Sequence, residues 1–188
     1  MLKQGMTKTE IEKDLQGKGN FVQIDHLNRF LKEQLPMDTK KFIFIKLASL
    51  YESAKILTDA AKMYDNAAEL AIPFAEKIED YLKETSLYIK AGDFERAEQA
   101  MKKAMSQTVT LKDKEAIADS VKRFYREQAQ ASEKAEKRNH AIKLYEKILE
   151  FRVTDQERQE IKEKLMVLYN KVGKIHEYSN MERGMRKY

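Results

Sequence analysis

Apolar residues recur at helical steps through almost the whole chain. Phe21, Ile24, Leu27, Phe30 and Leu31 mark one face of a helix over about 21–33. A shorter helix precedes it, with Thr7 or Thr9 as cap and Ile11 and Leu15 on its apolar side, and Gly17-Lys18-Gly19-Asn20 separates the two. Pro36 closes the second helix, and Asp38 is the expected N-cap of the next. From there the pattern predicts helical hairpins. The first pair covers about 39–55 and 58–71, with Thr58 or Asp59 capping its second helix. Pro73 then stands as a first-turn residue, and 74–91 and 94–106 form the second pair across Gly92-Asp93. Residues 106–112 read as a β-branched loop. The third pair is 112–135 and 138–152, broken near Lys137-Arg138-Asn139. Thr154-Asp155 caps a helix over 155–172, Gly173 ends it, and a short helix over 174–184 follows.

The hairpins resemble one another. Phe44 to Tyr81, Ala60 to Ala97 and Tyr64 to Met101 are each 37 residues apart, and Ala97 to Ala141 is 44. Leu87-Tyr88-Ile89-Lys90-Ala91-Gly92 returns as Leu168-Tyr169-Asn170-Lys171-Val172-Gly173. A small residue such as Ala60, Ala97 or Ala141 lets two helices cross closely, while an aromatic such as Tyr88 fills the space beside it. Gly92 relaxes the turn.

Over about residues 40–184 the chain resembles the tetratricopeptide-repeat family, most strongly in Tyr88-Ile89-Lys90-Ala91-Gly92-Asp93-Phe94-Glu95-Arg96-Ala97. Residues 60–68 are also locally similar to the hairpins of vesicle-fusion adaptor proteins. The chain departs from the repeat family in its spacing, in a third hairpin without the Gly-Asp turn, and in Glu84, where the family prefers Leu. The resemblance implies an all-α, right-handed array of about four antiparallel hairpins, an α-solenoid. Residues 1–38 are an N-terminal helical extension, forming a single compact unit with the repeat domain over 39–188.

Composition agrees with helices. Of 188 residues, 36% are charged, and Gly and Pro number only 6 and 2, too few for the turns of a sandwich, barrel or doubly wound sheet. There is no Cys, hence no disulfide and no thiolate metal site. No apolar run reaches the ~18 residues of a membrane span, and a soluble, cytoplasmic protein is expected. Net charge is +5, concentrated in residues 101–152, which carry 13 basic and 8 acidic residues.

Catalytic chemistry is not expected. His26, His140 and His176 share no helical turn, no phosphate loop or nucleophile elbow is present, and no metal or cofactor is implied. The aromatic residues fall at packing positions, leaving a concave groove as the candidate site. In the resembled family the first helix of each pair lines that groove and holds extended peptides. Carried onto this chain, the lining comprises Phe42, Ile45, Lys46, Ser49 and Glu52, then Leu82, Lys83, Ser86, Ile89 and Lys90. Arg123 and Arg126 follow, then Lys164, Val167, Asn170 and Lys171. Lysines interleaved with apolar residues suit an acidic, partly apolar peptide. Ile45 and Ser49 replace the Lys and Asn of the family's chaperone-tail clamp, so that activity is not implied. The expectation is a non-catalytic scaffold or adaptor for a protein segment. The alternative is nucleic-acid association through the basic 101–152 hairpin. Ile175, Tyr178, Met181 and Met185 form an apolar stripe near the C-terminus that either packs back on the preceding helix or meets another chain.

Overall fold

A computed structural model of the chain describes residues 2–185, Met185 by its backbone alone. It contains ten helices and no strand among the described residues. They are α1 (Lys8–Leu15), α2 (Asn20–Phe30), α3 (Met37–Ser53), α4 (Leu57–Leu70) and α5 (Phe74–Ala91), followed by α6 (Phe94–Ser106), α7 (Leu111–Lys134), α8 (Arg138–Ile148), α9 (Asp155–Lys171) and α10 (Ile175–Met185).

Local chemistry accounts for most of the boundaries. Thr7 and Thr154 each close a capping box, with Glu10 and Glu157, at the starts of α1 and α9. Asp93 caps α6 through the Arg96 N–H. Gly92 and Gly173 turn the chain at φ 79° and 75°, a left-handed conformation that favours glycine. At the third hairpin, where no glycine is available, Glu136 takes φ 56° instead, and Lys137 precedes α8. Two caps differ from expectation. Pro36, not Asp38, precedes α3, because Asp38 is already helical and pairs with Lys8 at 3.3 Å. Ile56, rather than Thr58 or Asp59, precedes α4, following Lys55 at φ 63°.

The chain forms two compact units, Met1–Ile117 and Ala118–Tyr188, with the division inside α7. In the first, α3 packs on α4, α4 on α5 and α5 on α6. The two N-terminal helices share the core of the first hairpin: Ile11, Leu15, Ile24, Leu27 and Phe30 cluster with Ile43, Leu47 and Leu50. Ala60, Ala97 and Ala141 are 0%, 1% and 0% exposed, so the small residues at the expected crossings are core residues. In the second unit α8 packs on α9 and α9 on α10. Its buried residues include Ala129, Ala141, Tyr145, Ile161, Leu165 and Tyr169, and the Tyr125 ring lies 5.8 Å from that of Phe151.

One side-chain arrangement occurs three times. Tyr81, Tyr145 and Tyr169 are buried, and each hydroxyl donates to a carboxylate: Glu69 at 2.6 Å, Glu133, and Glu146 at 2.7 Å. Lys103, Lys164 and Lys174 lie over the three rings at 5.6, 5.6 and 5.8 Å. Burial, reinforced by the accepting carboxylate, pushes all three phenols far above the ordinary tyrosine range, so they remain donors at every physiological pH. These tyrosines act as anchors between helices.

Candidate functional site

In the first unit three of the groove residues expected on α3 and α5, Phe42, Ile45 and Lys83, border a cleft of about 500 Å³. From α3 come Asp38, Lys41, Phe42 and Ile45, from α5 come Glu76, Glu79, Asp80 and Lys83, and Lys8 of α1 completes the rim. Phe42 and Ile45 are half-buried and supply an apolar floor among charged groups.

Charge runs across the cleft in a connected network. Lys41 Nζ pairs with Glu76 and stands 3.7 Å from Asp80 Oδ2. Lys83 Nζ pairs with Glu79 at 2.7 Å, approaches Asp80 Oδ1 at 3.9 Å and lies 5.5 Å from the centre of the Tyr64 ring. Asp80 is the deepest of these groups, 4% exposed, and its Oδ2 accepts no hydrogen bond within the protein. Burial raises the Asp80 pKa, while Lys41 and Lys83 oppose the rise. Glu79, exposed and bonded to Lys83, shifts down.

The other expected groove cations of this unit also face carboxylates. Lys90 pairs with Glu52 at 2.9 Å, which ties the C-terminal ends of α3 and α5 together. Lys46 points to Glu12 at 3.6 Å and lines a separate recess of about 460 Å³ with α1 and α2. Ile89, expected on the lining, is fully buried, because it turns with Tyr81 and Tyr88 into the helix interface. Ser49 is exposed, and Leu82 and Ser86 are half-buried.

No protein-family model and no curated protein matches the chain. Among solved structures it is similar to BtubC (BKLC) from P. vanneervenii, at 17% identity over 87% of this chain and 72% of that one, with a TM-score of 0.38. A likeness of this size assigns this chain neither a family nor a role.

In the second unit Arg126 pairs with Glu157 at 3.0 Å, Arg123 lies 3.9 Å from Glu127, and Lys164 lies 3.6 Å from Glu133. Asn170 and Lys171 are exposed at the end of α9. Much of the positive charge of 101–152 is engaged in the same way: Lys102 with Glu98, Lys103 with Asp65, Lys122 with Asp119, Arg138 with Glu136 and Lys147 with Glu150. Near the C-terminus Ile175 is 72% exposed, Tyr178 and Met181 are half-buried, and α10 packs on α9. The side chain of Met185 lies outside the described residues.

Each histidine has its own local surroundings. His26 Nδ1 is buried without a hydrogen-bond partner, burial lowers the His140 pKa, and His176 contacts Asn180 at 3.1 Å. Among the described residues no group of three or more His, Cys, Asp or Glu is placed to hold a metal.

Sequence reasoning passed over Lys41, Glu76 and Asp80. The available signal was register: Asp80 directly precedes the buried Tyr81 and lies four residues after Glu76, so one turn of α5 carries a carboxylate at its top and another at its base.

Proposed function

We propose that the chain is a non-catalytic scaffold or adaptor that holds a protein segment in the cleft between α3 and α5. In this reading the hairpins of the first unit stack in the right-handed sense of tetratricopeptide repeats, and α3 and α5 form the binding face. The observation that carries it is the cleft itself, about 500 Å³, with Phe42 and Ile45 at its floor and a buried carboxylate oxygen, Asp80 Oδ2, that accepts no hydrogen bond. A bound segment offers apolar side chains against Phe42 and Ile45 and charged groups for the rim. The ammonium groups of Lys83, on the cleft, and of Lys90, about two turns further along α5, are held in half-exposed ion pairs. Such pairs contribute only about 0–1 kcal/mol, so a carboxylate of the incoming segment displaces Glu79 or Glu52 at little cost. An acidic, partly apolar segment fits these requirements.

The test is selection of peptides from a random library on the immobilised protein, followed by titration of the winners. Lys83→Glu combined with Lys90→Glu is expected to weaken binding at least about ten-fold, since two favourable contacts become repulsive. If the selected peptides bind the double variant as they bind the parent, the cleft is not where they sit.

A further inference from the structure

Three helices of the first unit begin on the same local plan. Leu35-Pro36-Met37-Asp38-Thr39-Lys40 opens α3, Ile72-Pro73-Phe74-Ala75-Glu76-Lys77 opens α5, and Val109-Thr110-Leu111-Lys112-Asp113-Lys114 opens α7. Each is 37 residues from the next. The first helical residue is apolar and exposed every time: Met37 at 60%, Phe74 at 66% and Leu111 at 72%. Two residues earlier, Leu35 is buried in the core, but Ile72 and Val109 stand out at 87% and 96%. A lone exposed apolar side chain is ordinary; a register-matched series of them is not.

These tips share one edge of the unit. The Lys41–Glu76 ion pair joins the second turn of α3 to the first turn of α5. Ile117 of α7 shares a core cluster with Tyr81 of α5 and Ala104 of α6, about two turns beyond the starts of α5 and α7. Positive charge accompanies the tips. Lys40, Lys77, Lys112 and Lys114 make no ion pair among the described residues. Of the nearby first-turn carboxylates, Asp38 is paired with Lys8 and Glu76 with Lys41, while Asp113 accepts from the hydroxyls of Thr108 and Thr110 and keeps its charge beside Lys112. Pro36 and Pro73 provide no side-chain cap, so the N–H groups at the starts of α3 and α5 add the positive end of each helix to the same edge.

We propose that this edge of Met1–Ile117 rests on an anionic lipid surface. Ile72, Phe74, Val109 and Leu111 enter the boundary between headgroups and acyl chains, and the unpaired lysines meet the headgroups. The shape decides for lipid over a protein groove. Side chains that protrude this far need a separate, complementary pocket for each tip on a protein partner, whereas a fluid interface closes around them without one. The attachment is peripheral, as no described helix is long and apolar enough to cross a membrane. The plan returns once more in the sequence, as Val153-Thr154-Asp155-Gln156-Glu157-Arg158, but with Asp155 in place of the apolar tip. The apolar series therefore comprises the starts of α3, α5 and α7 only. This proposal is independent of the peptide cleft.

The experiment is co-sedimentation of the full chain with vesicles of phosphatidylcholine alone or with about 30% phosphatidylserine, at low and high salt. The parent protein is expected to sediment with the anionic vesicles only, and less as salt rises. Ile72→Ser with Phe74→Ser should lower the partition coefficient about ten-fold or more. Lys112→Glu with Lys114→Glu should lower it about five-fold for each lysine. All four positions are exposed, and unchanged helical circular dichroism and urea midpoints check that folding is intact. The proposal is overturned if the parent stays in the supernatant with anionic vesicles at low salt, or if Ile72→Ser with Phe74→Ser sediments like the parent. It is equally overturned if that variant instead converts a dimeric parent to a monomer by light scattering, which would make the edge a contact between copies.

Discussion

Glu84 sits where an apolar residue belongs. It follows Tyr81 by three residues and precedes Tyr88 by four, which places it on the core face of α5, and it is 3% exposed. Its Oε2 accepts no hydrogen bond. Burial, helped by the neighbouring Asp65 and Glu69 and opposed by Lys103, raises its pKa to about 8 from an ordinary 4.5. The carboxyl is thus mostly protonated in the folded protein at neutral pH but ionised in the unfolded chain. Between about pH 4.5 and 8 the folded state binds one proton more than the unfolded state, so this group's contribution is present at the acid end and is lost as pH rises through about 8. The slope is about 1.4 kcal/mol per pH unit, or about 2.5 kcal/mol from about pH 5.5 to 7.5. Glu84→Gln keeps the shape of the neutral acid and cannot ionise. Urea unfolding of both proteins, followed by circular dichroism at several pH values across that range, reads the difference directly. Effects common to both chains cancel, including that of His140, whose imidazole is pushed down by burial. The variant should gain on the parent steadily as pH rises, by about 2.5 kcal/mol across those two pH units. Parallel stability-versus-pH curves would refute the reasoning, because they would mean that Glu84 is as ionised in the folded protein as in the unfolded chain.

Two further outcomes follow from the helix crossings and caps. Ala97→Leu forces extra volume into a site that is 1% exposed, and should destabilise the first unit by about 1–3 kcal/mol in a urea melt. The same change at an exposed helical position, Ala131→Leu, serves as control and should alter stability by less than about 0.5 kcal/mol. Asp93→Ala removes the acceptor for the Arg96 N–H at the start of α6 and should cost about 1 kcal/mol in the same measurement, with Asp93→Asn recovering most of it.

Particular residues mark how far the sequence could be read. The run Gly92-Asp93 combines a left-handed turn with an N-cap, and both operate as its chemistry implies. Ala60, Ala97 and Ala141 occupy buried positions, as small residues on the apolar faces of their helices. The same 37-residue period, followed to the helix starts, leads to the exposed series Met37, Phe74 and Leu111, which the core-facing pattern alone does not reveal. Lysine counts were a weaker guide. Lys83 and Lys90 lie on the expected helix, yet they stand 2.7 and 2.9 Å from carboxylates, so formal charge overstates the positive field of the cleft.

What the sequence determined by itself is what depends on neighbours within a turn or two: helix identity from the 3.6-residue period, chain reversals from Gly and from Thr or Asp caps, and the close-crossing positions from small residues at a fixed interval. What only the tertiary structure decided is which charges meet across helices and which are stripped of water. Asp80 and Glu84 look like the solvated carboxylates around them, because ionisation is governed by the groups that surround a side chain in space, and those arrive from residues as distant in sequence as Lys41 and Lys103.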